Sequence, residues 1–218
     1  MQEPKPYSKA DRTIRTLNKK AIKRVENCKR RLLIAKFDEL NVIREVDTLY
    51  ADMDADNRKA FKKLFVDRFF EMLLYLMADE EVVPTDDEID ELAEMHLANL
   101  LTEPNEVTHY AYDTEVYRKR DRAKEAINAV PGRVEKQIQI DKNLRYWSSM
   151  TGFYVDFVSQ GAEVEALKKA GVKRVQRHEM KDDKVCSVCK KEDGAIYDID
   201  KIPPLPHLHC RRWFTEAR

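Results

Sequence analysis

The residues best suited to chemistry lie near the carboxyl end of the chain. Cys186 and Cys189 form a Cys-x-x-Cys pair, and after seventeen further residues His207 and Cys210 form a His-x-x-Cys pair. Together they present three thiolates and one imidazole, a set that a tetrahedral zinc ion accepts. We therefore predict zinc bound by Cys186, Cys189, His207 and Cys210. His209 is the alternative histidine, less suited because it is adjacent to Cys210.

The expected zinc ion is structural. Four protein ligands leave no open coordination position for water, so hydrolytic metal catalysis is disfavoured. Two alternatives stay open for the same residues: a redox dithiol at Cys186 and Cys189, or reduced thiols without metal. The sequence has no Gly-rich phosphate loop, nucleophile elbow or His-Glu-x-x-His pattern. We therefore predict that the protein is not an enzyme.

The long segment that precedes this cluster has the composition of a helical bundle. No glycine precedes Gly132 in the 218 residues. Ser8 and Asp11 predict a capping box at the start of the first helix. Apolar residues then recur at steps of three and four up to Leu49. This pattern predicts one helix from about Ser8 to Ala51, on the order of 66 Å long.

Four more helices are expected in the bundle. The second should form the core, because its apolar residues cover more than one face. The third should begin at a capping box formed by Thr85 and Glu88. Gly152 and Gly161 are expected to bend or end the fifth. The predicted bounds are about Ala55 to Ala78, Thr85 to Leu100, Pro104 to Pro131, and Arg133 to about Lys169.

The last 47 residues have a strand pattern instead of a helical one, with short strands predicted at 172–180, 195–199 and 212–215. A segment of this length holds a core only with a staple, which the zinc site would supply. The predicted fold class is therefore mainly α. A long-helix bundle in residues 1–170, with long first and fifth helices, precedes a small α+β zinc-knuckle module, rich in β, in residues 171–218.

Residues around the two ligand pairs also resemble a known protein family. The matching segments are Gly171 to Val175, Asp182 to Cys189, Glu192 to Tyr197, Pro203-Pro204 and His207 to Arg211. In order and spacing they are similar to the Mu F-like head morphogenesis proteins of tailed phages, over about residues 140–215. Glu192, Leu208 and Arg212 depart from the family pattern. Arg212 replaces the family's last cysteine, which leaves Cys186, Cys189, His207 and Cys210 as the ligand set.

This resemblance implies a structural role in a virus particle. Proteins of this family are minor components of the phage head that associate with the portal vertex and act in procapsid assembly. The implied partners are the portal protein and the major capsid protein. The implied location is the virion, in the inner head or at the portal vertex, after assembly in the host cytoplasm.

Charge is unevenly distributed along a chain whose formal net charge is zero. Residues 5–36 hold twelve Lys or Arg against two acidic residues, a local charge of 12 − 2 = +10, whereas residues 79–94 hold nine acidic residues and no basic one. The basic stretch is either a contact for packaged DNA or a face for solvent or acidic protein. An alternative function is therefore a nucleic-acid-binding zinc module of a regulator or packaging factor.

Two further partner classes are not expected. The longest apolar run, Met72 to Ala78, is far shorter than the roughly 20 residues needed to cross a bilayer. We therefore predict no membrane partner and no small-molecule substrate. Of the other histidines, His96 and His109 are interpreted as ordinary helix residues, whereas His178 could approach the metal. Trp147 and Trp213 are interpreted as core anchors.

Overall fold

A computed structural model describes residues 7–76, 84–180, 185–205, 207–208 and 210–217. The fold is mainly helical, with five long helices and a small three-stranded antiparallel sheet near the carboxyl end. The predicted fold class is therefore confirmed. The elements are α1 (Ser8–Ile34), α2 (Glu39–Leu76), α3 (Asp86–Thr102), α4 (Tyr112–Asn128), α5 (Arg133–Lys169), β1 (Arg174–Glu179), α6 (Ser187–Glu192), β2 (Ile196–Asp198) and β3 (Arg212–Glu216).

The predicted single helix from Ser8 to Ala51 is wrong, because the chain turns between α1 and α2. Lys36 and Phe37 both adopt a φ of 55°, in the left-handed region that costs a non-glycine residue about 1 to 2 kcal/mol. Burial offsets this cost, since the Phe37 side chain is only 6 % exposed. The apolar repeat continues on both sides of the turn and cannot reveal it.

Helix α2 joins two segments that the sequence analysis separated. It spans 38 residues, and its buried side chains include Phe61, Phe65 and Phe69, as expected for a core helix. The longest helices are therefore α2 and α5, and the first helix, α1, spans 27 residues. Helix α5 spans 37 residues and has the predicted bounds. It continues through Gly152 and Gly161, so the expected end of the helix at these glycines is wrong.

The starts of the other helices show which capping predictions hold. Thr85 and Glu88 form the predicted capping box of α3. Ser8 does not cap α1: the N-cap residue is Tyr7, which makes no side-chain cap hydrogen bond. Asp11 instead accepts a hydrogen bond from Arg211, at 3.0 Å.

The predicted start of the fourth helix after Pro104 is also wrong, because α4 begins at Tyr112. The Asn105 side chain binds the intervening turn, donating to the Tyr110 carbonyl at 2.8 Å and accepting from the Thr108 amide at 2.8 Å. His109 lies in this turn with a φ of 60°, not on a helix as interpreted. These local bonds compete with helix formation.

The sheet has the strand order β2-β1-β3. On β1, Val175 faces Tyr197 of β2 and His178 faces Trp213 of β3. A small apolar cluster joins the sheet to the end of α5, whereas Cys189 and Cys210 belong to the large core of the bundle. Trp147 is buried in that core and Trp213 is half-buried on the sheet. Within the described ranges, no helix combines the length and apolar content needed to span a membrane.

Candidate metal centre

The four predicted ligands come from two short segments. Cys186 is the N-cap residue of α6, and Cys189 follows in its first turn. The Cys186 sulfur accepts a hydrogen bond from the Cys189 amide at 3.4 Å, which holds both sulfurs on one side of the turn. His207 and Cys210 lie in the connection that leads into β3. His209, the alternative ligand, lies outside the described residues.

The structure brings the four side chains together. Nε2 of His207 lies 3.2 Å from Sγ of Cys186 and 3.1 Å from Sγ of Cys189, while the sulfurs of Cys189 and Cys210 are 3.6 Å apart. A tetrahedral zinc site has edges of about 3.6 Å between sulfur and nitrogen and about 3.8 Å between sulfurs, from its bond lengths. Cys186, Cys189 and His207 therefore form one close group of potential ligands, and Cys210 joins the cluster through Cys189.

The histidine is oriented for metal binding. Nδ1 of His207 lies 2.8 Å from the Leu208 carbonyl oxygen. A proton on Nδ1 satisfies that carbonyl and leaves the lone pair of Nε2 directed at the two sulfurs. Metal-ligating histidines are commonly held in this way, with the second nitrogen donating to a carbonyl.

A carboxylate that the sequence analysis missed lies beside the cysteines. Glu179, at the end of β1, forms a second close group with Cys189 and Cys210, in which the potential ligand atoms all lie within 4.8 Å of one another. Its carboxylate accepts a hydrogen bond from Nε of Arg177 at 2.7 Å, and Nη2 of Arg177 lies 4.0 Å from the Cys210 sulfur. The alternation of buried residues on β1 places both side chains on the inner face of the sheet.

The electrostatics of the sulfurs favour a cation at this position. The Cys189 amide lowers the pKa of the Cys186 thiol to about 7, because it donates a hydrogen bond to the sulfur. Burial raises the pKa of Cys189, and the neighbouring Cys210 raises it further. Burial also raises the pKa of Cys210. A bound metal ion would stabilise these thiolates and release their protons.

The remaining histidines lie away from the cluster. His178, which could have approached the metal, places Nε2 at 2.8 Å from the Thr215 hydroxyl and stacks its ring on Trp213. His96 packs against Phe65 with ring centroids 4.8 Å apart. Neither histidine belongs to a close group of potential ligands among the described residues.

A buried polar network connects the cluster to the bundle. Gln160 of α5 donates to the Cys210 carbonyl at 3.1 Å and to the Tyr7 hydroxyl at 2.9 Å. The Tyr7 hydroxyl in turn donates to the Arg212 carbonyl. Three residues later on α5, Glu163 accepts from the Phe214 amide at 2.9 Å. Helices α1 and α5 therefore hold the strand that follows Cys210.

Comparison with models of protein families, with curated proteins and with solved structures found no match. The functional conclusions therefore depend on the residues and their geometry. Cys186, Cys189, His207 and Cys210 form a cluster that could hold a metal ion.

Proposed function

We propose that the cluster binds one structural zinc ion through Cys186, Cys189, His207 and Cys210. The observation that supports this most directly is the close group that Nε2 of His207 forms with the sulfurs of Cys186 and Cys189, with the Cys210 sulfur 3.6 Å from that of Cys189. Thiolate and imidazole are the ligands that structural zinc sites use. Glu179 is the less suitable fourth ligand, because Arg177 already binds its carboxylate.

The zinc ion would add a restraint to the segment that contains the two ligand pairs. It would join the turn of α6 to the residues that precede β3, two parts of the chain separated by more than fifteen residues. Structural zinc sites contribute roughly 10 to 16 kcal/mol in isolated peptides. That contribution exceeds what so short a segment gains by apolar burial.

The zinc proposal is tested by native mass spectrometry of the full chain. We expect one zinc ion per chain in the unaltered protein and its loss from Cys189→Ser. Cys28 provides a matched control, because it is a buried free cysteine in α1, away from the cluster. Cys28→Ser should retain the zinc. An unshifted mass for the unaltered protein, or loss of zinc from both variants, would contradict the assignment.

We further propose that the protein is a non-enzymatic minor head protein of a tailed phage, acting in head morphogenesis at the portal vertex. The two ligand pairs and their flanking residues support this, since their order resembles that family. The bundle offers a helical body for contact with the portal and major capsid proteins. The zinc-stapled segment would follow this body along the chain.

The role in head assembly is tested by composition of assembled particles. We expect the protein to co-purify with the portal protein in procapsids and to remain in the virion. A free protein that is absent from assembled heads would overturn the role. The zinc assignment would survive that result, because it depends on a separate measurement.

A further inference from the structure

Nine of the ten basic residues of α1 fall into two groups with different surroundings. The first group consists of cations that form ion pairs within the molecule. These pairs are Lys9 with Glu71, Lys20 with Asp56, Arg24 with Asp52 and Asp56, Lys29 with Glu26 and Asp141, and Arg31 with Glu45. These cations maintain the fold and offer little charge to a partner.

A second group points to solvent. Arg12, Arg15, Lys19 and Lys23 are exposed and form no ion pair with any residue in the described ranges. Their steps of three and four place them on one face of α1, opposite the buried Leu17, Ala21 and Val25. This row is about 17 Å long at 1.5 Å per residue.

A groove between α1 and α2 lies beside this row, and Arg12 belongs to both. Its volume is about 410 Å³. Thr13, Thr16 and Leu17 are among the residues that line it. Its charged lining consists of Lys9, Arg12, Lys20, Lys59 and Lys63 with Asp56 and Asp67. Lys9, Lys20 and Lys63 are ion-paired, so Arg12 and Lys59 are the lining cations without an ion pair among the described residues. Lys59 is exposed and forms no ion pair with a described residue, so it adds to the charge of the row.

We infer that Arg12, Arg15, Lys19, Lys23 and Lys59, here called the basic face, bind the phosphate backbone of duplex nucleic acid without reading its sequence. One strand presents a phosphate about every 3.4 Å along the helix axis, so the row spans about five phosphates. Helix α1 contains no aromatic residue, which removes the base stacking that single-strand binders use. This inference uses none of the residues of the metal cluster.

An acidic protein surface fits the basic face less well. Lysine is depleted at the cores of protein interfaces, where arginine and aromatic residues are enriched. A row that includes two lysines and no aromatic residue is therefore a poor centre for a protein contact. It is well suited to a regular line of phosphates, because each cation neutralises one charge and releases a counterion.

The test compares two variants of the full chain that lose the same number of charges. The first removes four cations of the basic face: Arg12→Gln, Lys19→Gln, Lys23→Gln and Lys59→Gln. The control removes four exposed cations elsewhere: Arg122→Gln, Lys142→Gln, Lys173→Gln and Arg174→Gln. Binding to a fluorescent DNA duplex is followed by anisotropy as salt increases. Circular dichroism and thermal melting establish that each variant is folded.

Five phosphate contacts predict a slope of log K against log salt of about −4.5, or roughly 500-fold weaker binding at about 200 mM than at about 50 mM salt. The basic-face variant should retain a slope of only about −0.9, and the control should keep the original slope. Equal losses in both variants, or binding insensitive to salt, would overturn the inference. So would tighter binding to poly-glutamate than to the duplex, since this would assign the surface to an acidic protein.

Discussion

At the scale of single residues, the fold buries the imidazole of His96 in surroundings that disfavour its charged form. The pKa of His96 is lowered to about 4, chiefly because burial disfavours the charged imidazole and also because Lys168 is near. Nε2 of this histidine is buried without a hydrogen-bond partner in the described part of the chain. The imidazole is therefore neutral in the folded protein at neutral pH.

His96 should make the fold sensitive to acid. The pKa of His96 is lower in the folded state than its usual value of 6.5. The folded protein therefore has its full free energy of unfolding above about pH 6.5, where the imidazole is neutral in both the folded and the unfolded state. This stability is lost as pH falls towards 4, by about 3 kcal/mol. We expect His96→Gln to remove that part of the pH dependence in urea unfolding, whereas His109→Gln, at an exposed histidine, should leave it unchanged. Parallel pH profiles for the unaltered protein and His96→Gln would contradict this account.

At the scale of elements, a glycine determines how closely α3 approaches α5. A Cβ atom added at Gly161 would lie only 2.1 Å from Cε1 of the His96 ring. The glycine therefore provides the space that the ring occupies, at the cost of weaker helix propensity. This explains why α5 contains a glycine at this position.

The approach of α3 to α5 is tested by a double-mutant cycle. Gly161→Ala alone should lower the free energy of unfolding by about 1 to 3 kcal/mol, because it displaces the buried ring. In a His96→Ala background, the same change should be neutral or stabilising by up to about 1 kcal/mol. Denaturant titration of the four proteins measures this difference. Equal effects of Gly161→Ala in both backgrounds would rule out the steric explanation.

The elements also show how far the sequence predicts the structure. Cys-x-x-Cys and His-x-x-Cys spacings are local, so the ligand set could be proposed without a fold. Glu179 and Arg177 could not be placed beside it, because their positions depend on the register of β1 with its neighbours. The turn at Lys36 and Phe37 escaped prediction for a different reason, since neither residue type favours a positive φ. Burial of Phe37 in the bundle decides that conformation.

At the scale of the whole molecule, the metal cluster and the bundle share one polar network. Gln160 contacts the Cys210 carbonyl, while Tyr7 at the start of α1 contacts Arg212 beside it. Loss of the proposed metal ion should therefore loosen three regions together: α6, β3 and the first turn of α1. Helices α3 and α4 are outside this network and should not respond.

Hydrogen exchange with and without a chelator tests this coupling. Chelation should increase amide exchange in residues 186–192, in residues 210–216 and near Tyr7, because these regions lose a shared restraint. Protection in α3 and α4 should persist. Unchanged exchange near Tyr7, or uniform exchange throughout the chain, would contradict a network that links the metal cluster locally to α1.

The most direct test of the central claim is X-ray absorption at the zinc edge of the purified full-length chain. The proposed site predicts three sulfur ligands at about 2.3 Å and one nitrogen ligand at about 2.0 to 2.1 Å from one zinc ion. Cys28→Ser should give the same spectrum, whereas Cys210→Ser should lose one sulfur. A first shell dominated by oxygen, or a protein that contains no zinc, would contradict the claim that Cys186, Cys189, His207 and Cys210 bind the ion together.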